Sequence, residues 1–319
     1  MRHAAPGCHK AAWVLRMERG TPLRITEHYN IPGPVSFVDV QIERDNLLFT
    51  HPTAIRNDLG SVLATRATSR LESYTAEVLR CRASPHAADQ AKGRRLLKSG
   101  LNEPNETRLG YTRYGSQGHG WGPGLGSYLW KELRNPLCRD GLLTGLDQLP
   151  MFIPRVGQDL ISDMTTRLVF PELIDYTLQM AVRYPAMTRD LRKAPFTVWD
   201  PTSLDWVTIQ DVLPFVGGRH LLLVPKGWVS NKLLMAARPY YNRFATTSVQ
   251  EERIRYINGK VDKPLKRDLH EEFPDVRELN VSQTLKAADK GTNLIELYTG
   301  FVDERYEPMD DLELLRKTA

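Results

Sequence analysis

Along residues 37–42 the apolar side chains Val38, Val40 and Ile42 alternate with Phe37, Asp39 and Gln41, the period-two signature of a strand. Asp45 and Asn46 supply a turn into 47–50, so residues 22–50 predict a hairpin entered from a loop marked by Pro32 and Pro34. From about 58 to 82 the period lengthens. Leu63, Ala67, Leu71, Tyr74 and Val78 recur three and four apart, with Arg66, Arg70 and Arg80 off the stripe. Asn57 or Asp58 is placed to cap this helix, and Pro85 follows its end. A second long helix is predicted over 162–182, with Ile161, Met164, Leu168, Leu173, Tyr176 and Met180 inward and a kink or break at Pro171.

Residues 142–154 are apolar and broken by prolines, which suits a short buried segment. Strands are predicted at 196–199, 206–209 and 220–224, and a helix over 239–258. The pattern is that of an α+β or mixed α/β protein, with a short mixed sheet flanked by helices in one main body. It divides into a flexible extension over 1–20, the main body over 21–260 and a charged appendage over 261–319.

The chain has 319 residues, of which 41% are hydrophobic and 25% charged, so it can bury a sizeable core. Its net charge of +5 is unevenly spread: residues 251–319 carry 12 Lys/Arg against 16 Asp/Glu, whereas 53–139 carry 14 basic and 7 acidic side chains. That local excess favours an anionic partner such as nucleic acid or a nucleotide, although a solvated basic helix face would look the same. Three scattered cysteines (Cys8, Cys81, Cys138) argue against a disulfide framework and for a cytoplasmic setting. No apolar run has the length of a membrane span, so no membrane partner is expected.

The densest candidate chemistry lies at 92–126. Lys92, Arg94, Arg95 and Lys98 lead to Arg108 and Arg113, and then Gly118, Gly120, Gly122, Gly124 and Gly126 alternate into a predicted helix. Glycine lets backbone approach an anion closely, and a helix start offers unpaired N–H groups. Arg94, Arg95, Arg108 and Arg113 are therefore candidate phosphate partners, with Gly120 and Gly122 presenting backbone N–H groups. The spacing fits no Walker loop, and a plain surface loop explains the glycines equally well. Arg108 has its own structural alternative, in which Glu103 or Glu106 holds it as a brace.

Asp159 and Asp163 stand four apart near the start of the second long helix, and share a face if the helix includes Asp159. Helix capping by Ser162 and Asp163 explains them without function. With Asp200 they are also candidate ligands for Mg2+, with Asp163 and Lys226 as catalytic candidates. Asp200, Asp205 and Lys226 at the ends of the late strands loosely resemble the PD-(D/E)XK nuclease core, in which carboxylates hold Mg2+ and a lysine supports the attacking water. Val224 stands two residues before Lys226, where that core has an acid.

The combination NEPNETRLGYT, the glycine segment, GQDLISDMTT and HLLLVPK resembles a group of uncharacterised bacterial proteins of mobile-element or anti-phage defence settings. The resemblance, over about residues 35–275, implies action on nucleic acid and no particular catalytic residue. The expectation is a cytoplasmic, nucleic-acid-engaging protein, as a divalent-metal nuclease. Its alternatives are a non-catalytic sensor or assembly component working with a partner protein from the same locus, and a nucleotide-binding enzyme using the glycine segment.

Overall fold

The computed structural model describes residues 23–110 and 123–318. The predicted extension over 1–20 lies outside them, as do Arg113, Gly120 and Gly122. The first long helix is α1 (Val62–Ala83), whose Ala64, Ala67, Leu71, Tyr74, Val78 and Cys81 form the buried stripe. Its cap is Ser61, which accepts from the Ala64 amide at 3.2 Å, a few residues later than Asn57 or Asp58. Helix α2 (Ala87–Lys98) returns against α1, and α3 (Pro123–Glu132) packs on α2. Two glycines set these close approaches. A Cβ on Gly93 would meet Trp130 and Cys81, and one on Gly126 would meet the Leu97 carbonyl. Gly126, the last of the alternating series, is therefore a packing residue.

Helices α4 (Gln158–Leu168) and α5 (Phe170–Arg183) divide at Val169, the break that Pro171 predicts, since a proline ring in the first turn of α5 cannot continue the preceding ladder. Strands β2 (Leu191–Asp200) and β3 (Asp205–Val216) pair antiparallel with Phe196 opposite Ile209 and Trp199 opposite Trp206; β4 (Arg219–His220) adds to the end of β3. A second, two-residue ladder joins β1 (Phe49–Thr50) to β5 (Val229–Ser230). The architecture is mixed α+β, small antiparallel sheets flanked by helices, as the hydrophobic pattern predicts.

The structure corrects four local expectations. Residues 23–50 do not form the predicted hairpin: Ile25–Tyr29 is a short helix, residues 40–42 bond back to Leu23 and Ile25 through a single antiparallel bridge, and Val38 N–H goes to Val224 O at 2.9 Å. Phe37, Val38, Val40, Gln41 and Ile42 are all buried, so the alternation marks backbone buried on both sides. Leu221–Leu223 are likewise buried without a ladder, the Leu222 and Leu223 amides going to Glu106 O and the Thr177 hydroxyl. The helix predicted over 239–258 ends at Glu252, and a hairpin follows, β6 (Arg255–Ile257) with β7 (Lys260–Asp262).

The fourth concerns 261–319, which is no appendage. Helices α6 (Val276–Asp289), α7 (Leu294–Asp303) and α8 (Asp311–Lys317) contribute Leu279, Ala287, Leu294, Ile295, Tyr298 and Leu314 to the one core cluster. Their polar groups tie in as well. The buried Asn280 amide donates to Met151 O at 2.9 Å and to Ala237 O at 3.1 Å. Arg56 reaches both Asp147 (3.0 Å) and Asp303 (2.8 Å).

Candidate functional site

The GQDLISDMTT segment starts α4 at Gln158, with Gly157 before it in extended backbone. Asp159 thus lies in the first turn and Asp163 one turn on, the i, i+4 spacing that puts both on one face. Ser162 is not a cap; its hydroxyl accepts from the Thr50 amide at 3.0 Å and locks α4 onto β1. Asp159 and Asp163 line a cleft of about 470 Å3 together with Leu125, Arg155, Gln158 and Leu160. Gly110 lies nearby, where a Cβ would come within 3.9 Å of the Asp159 carboxylate.

The acidic charge of the cleft is only partly compensated. Asp163 is only 8% exposed, yet its carboxyl has no hydrogen-bond or ion-pair partner among the described residues. Burial, then the neighbouring carboxylates of Asp159, Glu103 and Asp45, push its pKa up to about 8, against the pull of Arg167. Asp159 is raised too, by burial first and then by Glu103 and Asp45. Arg167 is largely spent elsewhere: it donates to Asn102 O and Glu103 O and pairs with Glu106 at 3.1 Å. Arg155 turns its guanidinium over the Tyr128 ring, 5.1 Å from the centroid. A buried carboxyl with three acidic neighbours and no partner calls for a cation or a hydrogen-bond acceptor supplied from outside.

The other predicted residues are not brought here. Asp200 caps the β2–β3 turn, accepting from the amides of Thr202 (3.0 Å) and Ser203 (3.1 Å) and from the Ser203 hydroxyl. Those bonds hold its pKa low. Lys226 pairs with Asp311 of α8 at 2.6 Å and lines a different pocket, beside Asp39 and Arg24. The set Asp159, Asp163, Asp200 and Lys226 is therefore split three ways. Among the described residues no group of three or more His, Cys, Asp or Glu side chains is placed to hold a metal.

Arg108 is a structural residue, and the phosphate-binding reading of it is corrected. It is fully buried, in left-handed backbone (φ 60°), and its guanidinium donates only to backbone carbonyls. Those are Ile42 (3.0 Å), Asn105 (2.9 Å), Glu106 (3.2 Å), Val216 (2.8 Å), Arg219 (3.3 Å) and His220 (2.7 Å). It does brace the segment before the glycines, as the structural alternative holds, but through carbonyl oxygens and not through the Glu103 or Glu106 carboxylates. Arg95 is also engaged, in a two-pronged pair with Asp205 at 2.7 and 2.6 Å. Arg94 alone of the described phosphate candidates is exposed and makes no ion pair among the described residues.

Much of the basic excess over 53–139 is neutralised internally. Arg70 grips the buried Glu172, Arg66 pairs with Asp175, Arg80 and Lys92 share Glu77, and Arg56 takes Asp147 and Asp303. Sequence counting could not see this, because most of these acids come from other segments. It also missed Arg82 on α1 and Arg134 just past the end of α3, which stand near Arg94. The one sequence signal was Gly93 inside a basic helix, a mark of close helix approach.

The family model described as Domain of unknown function (DUF8370) matches residues 32–236, so the chain belongs to that family. Neither a curated protein nor a solved structure matches the chain.

Proposed function

We propose that this member of the family engages nucleic acid as a cation-assisted binding component, with Asp159 and Asp163 holding a divalent cation of the Mg2+ type. The observation that carries the reading is Asp163, a carboxyl nearly removed from water, without a partner, facing a cleft beside a second carboxyl. A divalent cation offsets the repulsion of the pair. Mg2+ is commonly held by one or two carboxylates and keeps its remaining positions for water and phosphate oxygens. The basic balance of the first 250 residues supplies long-range attraction for the same polyanion.

A nuclease built on Asp159, Asp163, Asp200 and Lys226 is the weaker reading, since the last two are committed to a turn and to Asp311. The non-catalytic sensor or assembly role fits the split set better. Thermal shift and fluorescence anisotropy with a labelled 20-nucleotide oligomer, in EDTA and in Mg2+ or Mn2+, test the proposal. The expected result is a cation-dependent rise in melting temperature and at least about tenfold tighter binding, both lost in Asp159→Asn and Asp163→Asn, with the oligomer intact. Equal stability and affinity with and without the cation would overturn it. Cation-dependent cleavage lost in Asp163→Asn would restore the nuclease.

A further inference from the structure

Three helices meet around one indole. Trp130 of α3 is 5% exposed, and the Arg82 guanidinium, from the C-terminal turn of α1, lies over it at 5.0 Å from the ring centroid. Gly93 of α2 lies against the far edge of the ring, and Arg94 is the next residue along that helix. Arg134 follows Trp130 by four residues, just past the end of α3. Arg94 and Arg134 act on Arg82 as like charges, which together with burial lower its pKa. Three guanidiniums therefore converge where α1, α2 and α3 pack.

None of the three has a carboxylate partner among the described residues. Arg82 donates one Nη to Gln90 Oε1 at 2.8 Å, and its Nε, like the Trp130 Nε1, is buried without an acceptor. Lys98, four residues beyond Arg94 on α2, is exposed and also without an ion pair among the described residues, which extends the positive face along the helix. This contrasts with the neighbouring Arg80, Lys92 and Arg95, all of which are neutralised. Bringing like charges together costs free energy, and no carboxylate among the described residues pairs with them to offset that cost.

We infer that the Arg82–Arg94–Arg134 cluster, with Lys98, is a docking surface for the phosphate backbone of nucleic acid, separate from the acidic cleft. Cations spread over three helices suit successive phosphates of a polymer better than one small anion. A lipid headgroup surface fits less well, because among the described residues the large exposed apolar side chains lie away from the cluster, on other elements (Leu59, Tyr256, Val261) or, for Val62, at the opposite end of α1 from Arg82. The inference shares the nucleic-acid partner of the proposed function but needs no cation. It is therefore tested in EDTA, where failure of the cleft reading leaves it untouched.

The experiment is anisotropy of a fluorescein-labelled 20-nucleotide single strand across a salt series, with full-length protein. The double variant Arg94→Glu/Arg134→Glu changes two exposed side chains and keeps the Arg82–Trp130 contact. Its fold is checked by melting temperature and near-ultraviolet circular dichroism. Wild type is expected to bind with an affinity that falls as salt rises. The double variant is expected to lose at least about tenfold and to show a slope of log K against log salt shallower by about 1 to 2. Lys193→Glu, an exposed change on β2, serves as the control and should stay within about twofold. Four results would overturn the inference: no wild-type binding at low salt, an unchanged double variant, an equal loss in the control, or tight binding to phosphatidylserine vesicles with none to the oligomer.

Discussion

Gly93 lies against the face of α3 so closely that a Cβ there would stand 2.5 Å from the Trp130 ring and 2.7 Å from Cys81 Cβ. Indole and helix backbone are both stiff, so the clash cannot be absorbed by a rotamer change. Gly93→Ala is expected to lose about 1–3 kcal/mol of stability, the usual cost of overpacking, although alanine is the better helix former. Urea unfolding with a near-ultraviolet tryptophan signal checks this. A stabilised Gly93→Ala would mean that α2 and α3 are free to separate.

Arg108 gathers carbonyls from residue 42, from 105–106 and from 216–220 around one guanidinium. Removing it leaves several buried acceptors unmet, each costing on the order of 1–3 kcal/mol. Arg108→Ala is expected to be destabilised by more than about 3 kcal/mol. Arg108→Lys should recover little, because an ammonium cannot reproduce the planar fork. Urea denaturation of both variants measures it; near-wild-type stability for the lysine variant would show that charge alone suffices.

Asp163 predicts an unusual pH profile in the metal-free protein. Its folded pKa, pushed up to about 8, lies above that of an unfolded aspartate, so the folded chain binds the proton more tightly. Stability from this group is complete below about pH 4 and is lost as pH rises through about 8. The groups that act on it are Asp159, Glu103 and Asp45 on one side and Arg167 on the other. Asp163→Asn mimics the protonated carboxyl, and in EDTA its melting temperature should exceed that of wild type by several degrees at pH 8.5 and by little at pH 4. Parallel profiles for the two proteins would show that folding leaves the Asp163 carboxyl unshifted.

Lys226 is held in a partly exposed pair with Asp311. Such pairs contribute little, so Lys226→Met is expected to shift stability by less than about 0.5 kcal/mol and to leave cation-dependent behaviour unchanged. A large loss of oligomer binding or of cation response in this variant would return the lysine to the site.

The helical parts of the fold were legible because a period near 3.6 survives whatever the helix packs against. The stripe from Ala67 to Val78 and the break at Pro171 came through intact. The extended segments were less so. Residues 37–42 alternate like a strand, but only Val40 and Ile42 bond back to nearby Ile25 and Leu23, while Val38 bonds to Val224, a partner that no local pattern encodes. The β6–β7 hairpin, by contrast, has a local signature. Asn258 and Gly259 are both left-handed (φ 51° and 76°), the pairing that an Asn-Gly turn specifies. At the site, the spacing of Asp159 and Asp163 was readable, but their isolation from cations was not. Arg108 misled because a buried arginine bonded to carbonyls and an exposed one awaiting phosphate are the same letter.

The bonds from Arg56 to Asp303 and from Asn280 to Met151 bear on where this protein can be cut. The segment shared with the family stops at residue 236, yet α6 and α7 beyond it supply partners to groups inside it. A fragment ending there would strand one side of Arg56 and bare Met151 and Phe152, which sit in the core of the whole chain. The inherited module is thus smaller than the folding unit. A chain cut at residue 236 would therefore need some other cover for Met151 and Phe152 in place of the one that α6 and α7 provide here.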